Sequence, residues 1–113
     1  MIVKRGEVYW AHFGDTAGSE QGGTRPALII QNDIGNKFSP VTIVAPLTSK
    51  IDNKKHIPTN VYLDADILGR KSAIHCEQIR AISKERLGEY IVTISDEDMQ
   101  RVNNALKISL ALD

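Results

Sequence analysis

The chain has 113 residues, of which 42% are hydrophobic and 25% charged, with no net charge at pH 7. This is the composition of an ordinary water-soluble fold and a length suited to one compact domain over 1–113. No apolar stretch approaches the roughly 20 residues that cross a bilayer, and a single cysteine, Cys76, excludes an internal disulfide and any cysteine-rich zinc site.

Met1-Ile2-Val3-Lys4-Arg5-Gly6 lacks the apolar core of a secretion signal, so the expected location is the cytoplasm. His12, His56 and His75 stand at no helical metal-ligand spacing, so no metal site and no cofactor is expected. Zero net charge speaks mildly against a nucleic-acid partner, because counterion release rewards basic proteins. The charge is uneven, however: residues 1–55 carry seven Lys/Arg against five Asp/Glu, and residues 56–113 carry seven against nine. A local basic groove built from the first half stays open.

Short β-type runs dominate the first ninety residues. Glu7–Phe13, rich in aromatic and β-branched types, predicts a first strand. Arg25–Gln31 contains Ala27-Leu28-Ile29-Ile30, a continuous apolar run that suits a strand buried on both faces. Val41–Leu47 predicts a third strand, and His56–Leu63, alternating only approximately, a fourth. Ser72–Ser83 predicts one or two more, and Glu89–Thr93 a last short one. Turn signals separate the runs at Gly18, Gly22-Gly23, Asn32-Asp33 with Gly35-Asn36, Ser39-Pro40, Asp52-Asn53 and Gly69. Ser83–Gly88 reads as one helical turn capped by Ser83 and stopped by Gly88. So many short strands in a small chain predict a curled sheet or small barrel.

The C-terminal segment changes period. Ser95 is a good N-cap, and Asp96, Glu97 and Asp98 favour the positive end of a helix. Met99, Val102, Leu106 and Leu110 then recur at helical spacing, predicting an amphipathic helix on the sheet. Ala105, Ile108 and Leu112 widen its apolar side toward a partner subunit.

Three segments could carry chemistry. Gly18-Ser19-Glu20-Gln21-Gly22-Gly23-Thr24-Arg25-Pro26 joins two strands; its glycines let backbone approach a ligand, and Pro26 holds Arg25 extended. The Arg25 fork suits a phosphate, although a glycine-rich hairpin with an exposed arginine is the plainer reading. Ala45-Pro46-Leu47-Thr48-Ser49-Lys50 offers two hydroxyls and a cation at a strand end, where backbone capping is the plainer reading. Glu77-Gln78-Ile79-Arg80 offers an amide able to read a base edge, against a solvated strand face. His75 and Cys76 read as local packing residues. Trp10, Tyr9 and Phe38 could stack on bases, but aromatic residues are more often in the core.

Together and in this order, these segments resemble the MazF/PemK mRNA-interferase family, and the sequence looks most like its Gram-positive branch. The likeness runs from Val3-Lys4-Arg5-Gly6-Glu7-Val8-Tyr9 through the Gly18–Pro26 loop, Ile30-Gln31-Asn32-Asp33, Val44-Ala45-Pro46-Leu47-Thr48-Ser49 and Glu77-Gln78-Ile79-Arg80. Two stretches depart from the family pattern. His12-Phe13-Gly14-Asp15 lacks a proline common there, and His75-Cys76 stands where relatives often carry apolar residues.

The resemblance implies an SH3-like small barrel and a homodimer. It implies sequence-specific cleavage of single-stranded RNA, and a cognate MazE-like antitoxin whose flexible tail lies over the RNA groove. The family's catalytic arginine and threonine match Arg25 and Thr48, and its loop glutamate matches Glu20. RNA carries its own nucleophile, the 2′-hydroxyl, so alignment, charge neutralisation and management of two protons suffice without a metal. The expected products are a 2′,3′-cyclic phosphate and a 5′-hydroxyl. Glu20 is expected either to accept the 2′-hydroxyl proton or to order the loop and read a base. Ser19, Gln21, Ser49 and Gln78 are expected to bind RNA. Two alternatives remain: a gyrase-poisoning toxin of related fold, or a non-catalytic SH3-like binding module.

Overall fold

The computed structural model describes every residue except Met1, Thr16, Ser19 and residues 52–56. The described residues form seven strands and two α-helices, in chain order β1 (Glu7–Gly14), β2 (Gly23–Ile29), α1 (Asp33–Phe38), β3 (Val41–Thr48), β4 (Asn60–Tyr62), β5 (Ala73–His75), β6 (Arg80–Ser83), β7 (Leu87–Thr93) and α2 (Asp96–Ser109). All the strand pairs are antiparallel, in the order β4-β5-β3-β2-β1-β7, with β6 also on β3. Among the described residues the ladder does not close into a complete barrel. The sheet is curled instead, and β1 shows why: its register slips between His12 and Gly14 against β2, and at Val8–Tyr9 and Tyr9–Ala11 against β7. Such bulges bend a strand and increase its twist.

The curl gives the sheet two apolar faces. Tyr9, Ala11 and Phe13 of β1, Ala27 and Ile29 of β2 and Val44 of β3 bury one face, covered by Ile82 of β6 and Leu87 of β7. Val8, Leu28, Ala45, Leu47, Val61 and Ile74 bury the other against Val102 and Ala105 of α2. The central strands are therefore dry on both sides, as the apolar run at 27–30 predicts: Ala27, Leu28 and Ile29 are all fully buried.

The C-terminal helix forms where its periodicity places it. Ser95 accepts a hydrogen bond from the Asp98 amide at 3.1 Å, and three acidic residues fill the first turn. Arg5 ties it to the sheet by donating from Nε to the Ile30 carbonyl at 2.8 Å and from Nη2 to Asn103 Oδ1 at 2.7 Å. Ile108, Leu110 and Leu112, at its far end, are exposed.

Several elements differ from the sequence expectation. β2 begins at Gly23 rather than Arg25, and β4 covers only Asn60–Tyr62, while His56 lies outside the described residues. The 3-10 turn Lys84–Arg86 is capped by Ser83 as expected, but it ends at Leu87. Gly88 lies inside β7, where a Cβ would sit 3.3 Å from that of Trp10; its role is to let Trp10 pack close. Phe38 is 76% exposed and is no core residue.

The larger difference is α1, where turn signals stand in the sequence. Asn32 caps it by accepting from the Gly35 amide at 2.8 Å, and Asp33 accepts from the Arg5 amide at 2.7 Å. That amide, followed by Asn36, holds the Asp33 carboxyl below its usual range. Asn36 turns inward, 1% exposed; its Nδ2 donates to the Gln31 carbonyl at 2.9 Å and its Oδ1 accepts from Thr42 at 2.8 Å. Asn36→Ala is expected to destabilise the fold by about 1–3 kcal/mol for each buried group it orphans. In a thermal melt that is a fall of roughly 4–8 °C per kcal/mol. A variant melting with the wild type would contradict this reading.

Candidate active-site groove

The site begins where β2 and β3 part. Their ladder ends at Ala27↔Pro46, after which Leu47 and Thr48 pair with Ile74 and Ala73 of β5 on the opposite edge. The gap between the two strand ends is one flank of a groove of about 710 Å³, within the usual span of about 300–1,000 Å³ for ligand pockets. Gly14 and Gly23, paired across the root of the β1–β2 loop, both have positive φ (71° and 70°), a conformation that strains any residue with a Cβ. They turn the chain out of β1 and back into β2, so that Arg25 arrives at the groove.

Arg25 bridges the gap. Its Nε donates to the Gly22 carbonyl at 3.0 Å and its Nη1 to the Leu47 carbonyl at 3.4 Å. These anchors fix the direction of the guanidinium and leave its other N–H groups to a ligand. Leu47 is followed by Thr48, which also lines the groove and is 8% exposed. The Lys50 amide donates to Thr48 Oγ1 at 3.2 Å. With that lone pair engaged, the hydroxyl proton is available for donation into the groove. Two segments distant in sequence thus deliver a fork of cationic donors and a hydroxyl to one space.

The groove's electrostatics resolve the puzzle of a neutral chain. Among the described residues Arg25, Lys50 and Arg70 line it and no carboxylate does. Among the described residues none of these three cations has an Asp or Glu within ion-pairing distance. The first half of the chain supplies two of them, as its charge excess suggests; Arg70 was not legible as a site residue. Trp10, half-buried, offers an aromatic wall to the groove rather than packing in the core, whereas Tyr9 is buried.

The other expected site residues divide. Gln21 and Ser49 line the groove. Gln78 does not, but its Oε1 accepts from the Gln21 amide at 2.8 Å and so pins the loop. Glu20 is exposed and outside the groove lining, and Ser19 lies outside the described residues. His75, expected to be a packing residue, is a groove residue: its Nε2 meets Gln21 Nε2 at 3.2 Å and its Nδ1 meets Glu77 Oε1 at 3.0 Å. Cys76 is the packing residue of the pair, fully buried, and burial pushes its thiol up to about 12 with help from Glu77. A thiol so held stays protonated and inert.

A curled antiparallel sheet backed by one long helix, with a groove lined by Arg25, Lys50 and Arg70 at the mouth of its central strands, defines a small β-domain built to receive an anion. The chain belongs to the PemK-like, MazF-like toxins of type II toxin–antitoxin systems, a family whose pattern it matches over residues 4–110. It is 55% identical over 114 aligned residues to the endoribonuclease EndoA of Bacillus subtilis, covering 99% of this chain and 97% of that protein. Among solved structures it resembles MazF of Deinococcus radiodurans, with a TM-score of 0.83, 26% identity and 98% of each chain covered. It also resembles an endoribonuclease from a mycobacterial species solved in complex with its cognate antitoxin, with a TM-score of 0.82, 25% identity, 98% of this chain and 97% of that one covered.

Proposed function

We propose that this chain is the endoribonuclease toxin of a toxin–antitoxin pair and cuts single-stranded RNA at specific sequences through the 2′-hydroxyl beside the scissile phosphate. The observation that carries this is the approach of Arg25, through the Leu47 carbonyl, to the residue preceding Thr48, at the rim of a groove whose described lining holds three cations and no carboxylate. Arg25 stabilises the charge that develops on the phosphorane oxygens, and Thr48 donates a hydrogen bond to one of them. Gln21 and Ser49 read base edges, Ser19 joins them from the loop, and Gln78 holds that loop in place. Glu20 orders the loop from outside the groove. Bases of single-stranded RNA are free to stack, and Trp10 supplies a face for one of them.

The likeness to an endoribonuclease solved together with its cognate antitoxin supports a partner of the same kind, covering the groove. The exposed Ile108, Leu110 and Leu112 at the end of α2 support a homodimer. No helix among the described residues is long and apolar enough to cross a membrane, and the cytoplasm, where mRNA is translated, is the compartment this function requires.

The test is incubation of the purified protein with a long RNA in EDTA. Discrete fragments ending in 2′,3′-cyclic phosphate and beginning with 5′-hydroxyl are expected. Intact RNA, or cleavage that appears only when a divalent metal is restored, would overturn the reading; intact RNA with inhibited gyrase would favour the protein-poison alternative.

A further inference from the structure

The proposed reaction needs a group to take the 2′-hydroxyl proton, and neither Arg25 nor Thr48 supplies one. A guanidinium is always protonated, and the threonine is used as a donor. Glu20, the carboxylate nominated by sequence, does not line the groove. Among the described groove residues only His75 carries a side-chain nitrogen lone pair able to accept a proton. We propose, resting on the ribonuclease reading above, that His75 is the proton acceptor of the cleavage reaction and Glu77 its positioning residue.

Strand geometry places the imidazole. Thr48 faces Ala73 across the β3–β5 ladder, and His75 follows Ala73 by two residues, so both side chains leave the same face of the sheet. Diagonal neighbours in such a ladder stand about 7–8 Å apart, a span that a ribose and its phosphate bridge. The imidazole is 13% exposed and held from behind. Its Nδ1 stands 3.0 Å from Glu77 Oε1 and 3.1 Å from the Asn60 side chain; a carboxylate only accepts, so Nδ1–H donates to Glu77, and the Asn60 amide, turned the same way, donates to Oε2 and Oε1 at 2.9 and 3.0 Å. This fixes the tautomer: with the proton on Nδ1, Nε2 presents its lone pair to the groove.

What meets that lone pair is the Gln21 amide at 3.2 Å. It is a neutral donor on a loop side chain, and a ribose hydroxyl arriving at Nε2 replaces it with a donor of the same kind. The charged and titratable groups around the imidazole then have clear parts. Glu77, on the turn after β5, balances the imidazolium as it forms. Tyr62, on β4, lies opposite Ala73 rather than His75. Arg25, Lys50 and Arg70 face the groove and hold the phosphate. In the step itself the O2′–P bond forms and the hydroxyl proton passes to Nε2. The P–O5′ bond breaks, and the departing 5′-oxygen takes a proton from a water in the groove. His75 returns its proton to solvent before the next turnover.

The experiment is single-turnover cleavage in EDTA, at saturating protein, from about pH 5 to about pH 8, with wild type, His75→Leu, His75→Gln, His75→Ala and Glu77→Gln. Wild type is expected to speed up across this window as one group loses its proton. The three His75 variants are expected to fall by about 10²–10⁴-fold and to lose that rise, while binding of a 2′-deoxy analogue is retained. Added imidazole is expected to restore part of the rate to His75→Ala, and Glu77→Gln to displace the midpoint of the rise. Should His75→Leu fail to fold, the pH profile of His75→Gln and the imidazole rescue carry the test. A His75 variant that cuts at the wild-type rate, or that keeps the wild-type pH profile, overturns the proposal. So does a slowed variant that imidazole leaves unchanged. Wild type that cuts no RNA at any pH brings down the ribonuclease reading itself, and is distinct from all of these.

Discussion

Arg25→Ala will lower the single-turnover rate of RNA cleavage by about 10²–10³-fold, equivalent to roughly 3–4 kcal/mol of lost transition-state stabilisation, and leave the melting temperature nearly unchanged. The two halves of this expectation have separate causes. The guanidinium is half-buried at the strand mouth and belongs to neither apolar cluster, so its removal opens no cavity in the core. Its value lies in direction: two carbonyls, those of Gly22 and Leu47, hold it before RNA arrives, and donors placed in advance need no reorganisation during the reaction. Arg25→Lys keeps the charge and loses the fork. An ammonium cannot hold both anchors and still present paired donors, so the lysine variant will recover phosphate binding more than rate. Comparing rate at saturation with the dissociation constant for uncleavable RNA checks this. An alanine variant slowed only through weaker binding would show that Arg25 is a docking residue.

Thr48→Val will cost about a hundredfold in the same assay, because valine keeps the β-branched shape and removes the donor. The substitution also leaves the Lys50 amide without its acceptor, so a modest loss of stability accompanies the loss of rate. Thr48→Ser separates the two effects: it retains the hydroxyl and will restore most of the rate. On the proposed reading Arg25 and Thr48 act on one phosphate, and their effects are then expected not to add. The double variant will fall short of the product of the two single losses. Full multiplicativity would mean that the two side chains act on different steps.

The elements that were legible in the sequence are those whose pattern is their own cause. The run at 27–30 announces a strand dry on both sides. Ser95 with its acidic first turn and the recurrence of Met99, Val102 and Leu106 announces α2. The short helix α1 was hidden because its residues also spell a turn, and its Asn32 cap is joined by contacts from outside the helix. Gly35 and the asparagines on either side resemble a turn, and only the sheet, through Thr42 and Gln31, gives Asn36 a reason to be buried. Gly88 misled in the opposite sense: it is a contact glycine for Trp10, which no nearby residue reveals.

The site divides in the same way. The Gly18–Pro26 loop and the Pro46–Ser49 strand end carry their signals in sequence, and from them Arg25 and Thr48 could be nominated. Their convergence depends on β2 and β3 parting after Ala27↔Pro46, a property of the sheet. His75 looked like packing because its groove partner, Gln21, lies 54 residues away, and because its neighbour Cys76 is a packing residue. Arg70 reaches the groove from a long connection with no motif of its own. The gathering of Arg25, Lys50 and Arg70 on one groove was likewise invisible in a chain whose charges sum to zero.

The central claim is that Arg25 and Thr48 serve an attack by the RNA's own 2′-hydroxyl on the adjacent phosphate. Its most direct test takes an RNA oligonucleotide with one mapped cut site and replaces the single ribose preceding that phosphate by deoxyribose. The account predicts that the oligonucleotide still binds and is no longer cut there, while the all-ribose control gives the cyclic phosphate in EDTA. Cutting of the deoxy substrate at the same phosphate would place the nucleophile outside the RNA and contradict it.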